Sequence, residues 1–228
     1  AGLRLKTGAP LFVLCPDDTT AENFANDLRS MLGEEVTCLG MRDFTFYSTE
    51  AASRQAEQKR LAALFTLAEG RSAVTVASIP GLLQRTIPPE TLRRAAFEID
   101  AGGSYPIEDV EAALLRCGYT RTEQVEGAGQ FARRGGILDF FSPSEHEPVR
   151  IEFWGDDVDS MGHFDVASQR RTEPLERCVI LPAAETLPEM TAGGRDALCR
   201  EIESFAEKYG RRRTSENAAA LCATLRAD

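Results

Sequence analysis

The spacing of apolar residues changes its period near residue 96, and no single fold class accommodates both sides of that change. Before it, short apolar runs alternate with helical stretches. Leu11–Cys15, Val36–Leu39 and Ala73–Ala77 read as strands. In the helix after the first strand, Thr19 or Thr20 is the expected cap. Phe24, Leu28, Met31 and Leu32 form the expected buried stripe, and Gly33 the stop. A longer helix spans 51–69, with Leu61, Leu64, Phe65 and Leu67 inward. Such alternation predicts an α/β lobe, a parallel sheet wrapped by helices. After residue 96 one strand (Phe97–Asp100) and one helix follow. Ser104 is the expected cap of that helix, Pro106 its first turn, and Ile107, Val110, Leu114 and Leu115 its apolar stripe. Beyond Gly118 only strand signals remain, near 119–126, 130–134, 137–141, 148–154, 161–166 and 177–181. That is α+β grammar, one helix against an antiparallel sheet. From Pro182 to Asp228 the chain reads as helical.

Charge follows the same boundary. The net charge of −10 over 228 residues is concentrated in residues 97–182, which hold 8 basic and 17 acidic side chains. A surface that repels phosphate is a poor platform for nucleic acid. Six cysteines stand singly among apolar residues, and the histidines number two, His146 and His163. Neither a metal-ligand spacing nor a disulfide framework is legible, so no metal and no cofactor is expected. No run approaches the ~18 apolar residues that would span a bilayer, and a cytoplasmic protein is expected.

A strand–turn–helix start invites a test for a phosphate loop. The pattern G-x-x-x-x-G-K-[ST] does not occur, and the turn after Leu11–Cys15 carries Asp17 and Asp18. Two carboxylates stand where backbone amides and a lysine would cradle a triphosphate.

The informative stretch is QFARRGGILDFF from Gln130, followed by VRIEFWGDD from Val149. Side chains of a strand alternate faces. Val149, Ile151 and Phe153 therefore share a core face, and Arg150, Glu152 and Trp154 share the other. Trp154, the single tryptophan, stands on a polar face beside an arginine. Those two residue types dominate binding hot spots. The competing reading is that Trp154 covers the join to the neighbouring lobe, with Arg121, Arg133 and Arg134 pairing surface carboxylates at little gain. Arg134, just before the Gly135-Gly136 turn, lies next to Arg150 if the two strands pair.

These residues, with FDVASQR from Phe164, VILPA from Val179, and RLAALF and ASIPGLLQRTIPP upstream, resemble the N-terminal region of the bacterial transcription-repair coupling factors. The resemblance runs from about residue 10 to about 187. It implies a degenerate helicase-like (RecA-like) lobe without a P-loop over 1–96, resuming over 182–228. The lobe carries an inserted module over 97–181 that binds the excinuclease component UvrA. It implies a non-catalytic fragment of an ATP-dependent DNA translocase. It also implies intramolecular masking by later domains, which hold the contacts to RNA polymerase and DNA. Carried over by motif, the UvrA contacts fall on Arg134, Arg150 and Trp154, and with less support on Arg121. The family often has phenylalanine where Trp154 stands. Two alternatives remain: a fragment of the excinuclease component UvrB, and a DNA-contacting lobe suggested by Arg93-Arg94 and Arg211–Arg213.

Overall fold

The computed structural model of the chain describes residues 2–42, 50–210 and 212–227; Arg211 lies outside them. The chain divides into two compact units, Ala1–Glu185 and Thr186–Asp228.

The first unit begins with α1 (Gly2–Thr7), β1 (Leu11–Cys15), α2 (Asp18–Leu32), β2 (Thr37–Leu39) and α3 (Glu50–Ala68). It continues with β3 (Val74–Ser78), α4 (Ile79–Leu83) and α5 (Pro89–Ala95). The three strands form a parallel sheet in the order β1-β3-β2. The sequence explains why β3 is central. Its VTVAS run has no polar alternation, and all five residues are buried, as a strand covered on both faces requires.

Helix α2 departs from expectation at both its cap and its stripe. The cap is Asp17, whose Oδ1 accepts from the Thr20 amide at 2.7 Å. The buried residues are Ala21, Ala25 and Leu28, packed against Val36, Val74 and Val76. Phe24 and Met31 are exposed, because the two alanines let the helix lie close on the sheet and turn the bulkier residues outward. The amide bonds hold the Asp17 carboxyl below its ordinary value. Its contribution is therefore complete above the unfolded value of about 4 and fades as pH falls through the lower folded one. Asp17→Ala is expected to destabilise the lobe at pH 7, and the difference from wild type should shrink in acid denaturation below pH 4.

The unit continues with β4 (Phe97–Asp100), α6 (Ile107–Arg116), β5 (Thr120–Arg121), β6 (Gln130–Arg134), β7 (Ile137–Phe140), β8 (Val149–Trp154), β9 (Asp157–Phe164), β10 (Arg171–Pro174) and β11 (Arg177–Ile180). Six of these strands form one sheet, ordered β10-β9-β8-β7-β6-β5, while β4 and β11 pair separately. The strand expected over 119–126 is the two-residue β5, which joins β6 in parallel. β10 carries no strand signal in the sequence, since all four of its residues are exposed and none is apolar in alternation. Ser104 bridges to Asp157 instead of capping α6, whose N-cap position is Pro106. Leu115 points to solvent, and the stripe is Ile107, Val110 and Leu114.

Helix α6 lies over one face of the sheet. Phe131, Leu138, Phe140, Val149 and Ile151 are fully buried. Arg133, on the face of Phe131, reaches up to Glu108 and Glu111 of α6 at 2.7 and 3.0 Å. At the end of the unit the chain returns to its first segment. The buried Arg60 on α3 sits 3.1 Å from Glu185 and donates to the carbonyls of Gly40 and Gly81.

The second unit holds a 3₁₀ turn (Pro188–Met190), α7 (Gly194–Tyr209) and α8 (Arg212–Ala227). The two helices meet at Cys199 and Cys222, each thiol donating to the other's carbonyl. Among the described residues no helix is long and apolar enough to cross a membrane.

Candidate docking face on the six-stranded sheet

The face of the sheet opposite α6 is set by register. Ala132, Asp139, Arg150 and Gly162 stand in one row, and Arg134, Ile137, Glu152 and Ser160 in the next. Antiparallel partners directly opposite one another share a face. The pleat therefore puts Arg134, Asp139, Arg150, Glu152 and Trp154 together on the side away from α6.

β6 and β8 do not pair directly, because β7 runs between them. Arg134 and Arg150 meet instead through a residue of β7, Asp139. Its carboxylate is almost wholly buried. Arg150 engages it bidentately, Nε to Oδ1 at 2.7 Å and Nη2 to Oδ2 at 2.8 Å. Arg134 Nη2 adds a third bond, to Oδ2 at 2.8 Å. The bidentate geometry is the strongest that a guanidinium can make to a carboxylate. The bond to Asp139 holds the Arg150 pKa above its ordinary value against the opposing cost of burial.

Two further contacts fix Arg150. Its Cζ lies 4.4 Å from the centroid of the Phe164 ring, within cation–π range. Its Nη1 and Nη2 donate to the backbone and side-chain oxygens of Gln169 at 3.2 and 3.1 Å. Gln169 adopts a left-handed backbone, φ 59°, which turns the loop back over the arginine. Arg150 is thus mostly covered, whereas half of the Arg134 side chain faces solvent. Glu152 and Ser160 are held by Arg171 of β10, at 3.2 and 2.8 Å.

Trp154 closes β8 with 84% of its surface exposed, the most exposed large apolar residue among those described. The Gly135-Gly136 turn holds this corner in place. Gly135 takes φ +62°, and a Cβ on Gly136 would come 2.8 Å from the Phe153 carbonyl, so glycine alone fits both positions. The Phe153 amide bonds back to the Gly136 carbonyl at 2.8 Å. Along β8, Trp154 stands four residues from Arg150, about 13 Å at 3.3 Å per residue. The face thus has an anchored cation at one end and a free indole at the other.

Arg121 is not part of this cluster. It pairs with Glu111 of α6 at 2.6 Å, on the side that Arg133 occupies. Sequence patterning does not single out Asp139, Gln169 or Arg171. The available signal is Asp139 itself, a carboxylate inside the apolar run ILDF, in register with Ala132. Burial requires such a group to be paired.

Residues 97–185 match the family model of the UvrB interaction domain. The transcription-repair-coupling factor of Myxococcus xanthus is 33% identical over 187 residues, covering 78% of this chain and 16% of that protein. The transcription-repair-coupling factor of Bacillus subtilis is 27% identical over 91% of this chain and 18% of its own length. UvrABC system protein B of Thermosipho africanus is 24% identical over 90% of this chain and 33% of its own length. The chain thus spans about a sixth of the length of the coupling factors it matches. These similarities identify residues 97–185 as a UvrB interaction domain, in a chain related over most of its length to the transcription-repair-coupling factors.

Proposed function

We propose that residues 97–181 are a recruitment module that binds UvrA through the sheet face opposite α6, and that no chemistry takes place on this chain. The observation that carries the proposal is an exposed indole at the end of a strand whose arginine is rigidly held. Trp154 supplies the apolar anchor, Arg134 a solvent-facing cation, and Arg150 with Asp139 the rigid support beneath them. A held side chain loses less entropy on binding than a free one. Arg121 is left out of this surface, because it pairs with Glu111 on the α6 side of the sheet.

In this reading residues 1–96 form a degenerate helicase-like lobe, to which the chain returns near 182. Asp17 caps α2 at the position where a phosphate would sit in a nucleotide-binding lobe, which supports a lobe that does not hydrolyse ATP. The role fits transcription-coupled nucleotide excision repair. Regions of the relatives beyond the matched part would provide the translocase, the contacts to RNA polymerase and DNA, and the masking of this face. The similarity to UvrABC system protein B sustains a second reading, in which the same face belongs to a UvrB-type protein. Both readings share the partner.

The test is a calorimetric titration of the purified chain with UvrA. Saturable binding is expected, weakened by Arg134→Ala while thermal unfolding barely changes. No binding to UvrA would sink the proposal.

A further inference from the structure

The loop joining β7 to β8 brings together the chain's two histidines. His163, on β9, is buried, and its Nε2 lies 3.0 Å from Glu145 Oε2. His146 is the next residue of the loop, and its ring meets the His163 ring edge-on, centroids 4.7 Å apart and planes at 65°. One ligand atom from each of the three lies within 4.8 Å of the others. His163 Nδ1, on the ring edge away from Glu145, is buried and has no hydrogen-bond partner among the described residues.

We propose that Glu145, His146 and His163 form a site for a divalent transition ion, Zn²⁺ by its two-nitrogen, one-oxygen donor set, with water in the fourth position. Ligand atoms around tetrahedral zinc stand about 3.4 Å apart, given bonds near 2.0–2.1 Å. The three groups must therefore close by about 1.4 Å at most. His146 is exposed and sits on a loop, so rotation about its side-chain bonds supplies that movement, while Glu145 and His163 are already in contact. His163 serves through Nε2, which exchanges its bond to Glu145 for a bond to the ion. The bound ion would tie the loop to β9. Ser142 and Ser144 already hold the loop by bonding the Val179 carbonyl at 3.1 and 3.0 Å. The site is independent of the docking face, whose residues point to the other side of the sheet.

The experiment is thermal unfolding of the chelator-treated chain with and without Zn²⁺, in parallel with His146→Ala. The wild type is expected to gain about 5 °C at a hundredfold excess over the dissociation constant. His146→Ala should lose that gain with its metal-free Tm unchanged. Because unfolded cysteines also bind zinc, Co²⁺ is added to the native chain as a second readout. Visible d–d bands without a thiolate charge-transfer band are expected, and they should vanish in His146→Ala. The absence of a shift and of bands, a shift that survives His146→Ala, or a thiolate band would each overturn the assignment.

Discussion

Asp139→Ala is expected to be the most damaging single substitution on the docking face. It removes the shared acceptor of two guanidinium groups, one of which is mostly buried. Breaking a buried ion pair from one side costs about 3–5 kcal/mol, because the remaining charge is left uncompensated. Most of that cost falls on Arg150, since Arg134 can turn to water. For a chain of this size the loss corresponds to a fall in Tm of about 10 °C. Asp139→Asn should lose less, because it keeps the shape and one acceptor. Binding of UvrA should fall with both, since Arg150 and Arg134 lose their common register. Denaturant unfolding of the two variants checks the order. A loss below about 1 kcal/mol for Asp139→Ala would mean that water replaces the carboxylate and that Arg150 is not rigidly held.

Trp154→Ala is expected to separate binding from stability in the opposite sense. An indole that leaves 84% of its surface in solvent contributes little to the folded chain. Hot-spot truncations cost about 2 kcal/mol or more, at least thirtyfold in affinity. Tm should therefore stay near wild type while affinity for UvrA collapses. Trp154→Phe should retain most of the affinity, since the flat apolar contact survives with less area.

The two substitutions show what the sequence can and cannot disclose. Strand alternation alone places Arg150, Glu152 and Trp154 on one face and Val149, Ile151 and Phe153 on the other, and the structure has them so. Period-two patterning is strong where one face is buried. The partner strand of β8 is not readable from the same pattern, because pairing order is a tertiary property. Hence the sequence suggests Arg134 and Arg150 side by side, whereas β7 separates them and Asp139 joins them. Helix α2 misleads for a related reason. Two alanines define its buried face, and hydrophobicity patterns favour large residues such as Phe24 and Met31. The pairing of His146 with His163 is invisible in the sequence because it depends on the β7–β8 loop reaching back to β9.

The most direct measurement is the affinity of UvrA for wild type, Trp154→Ala and Leu115→Ala, each with its Tm. Leu115 is the control, an exposed apolar residue on α6, on the opposite side of the sheet. A thirtyfold or greater loss confined to Trp154→Ala, with all three melting alike, is the predicted result. Equal affinities for the three, or a loss only in Leu115→Ala, would contradict the assignment of this face as the place where UvrA docks.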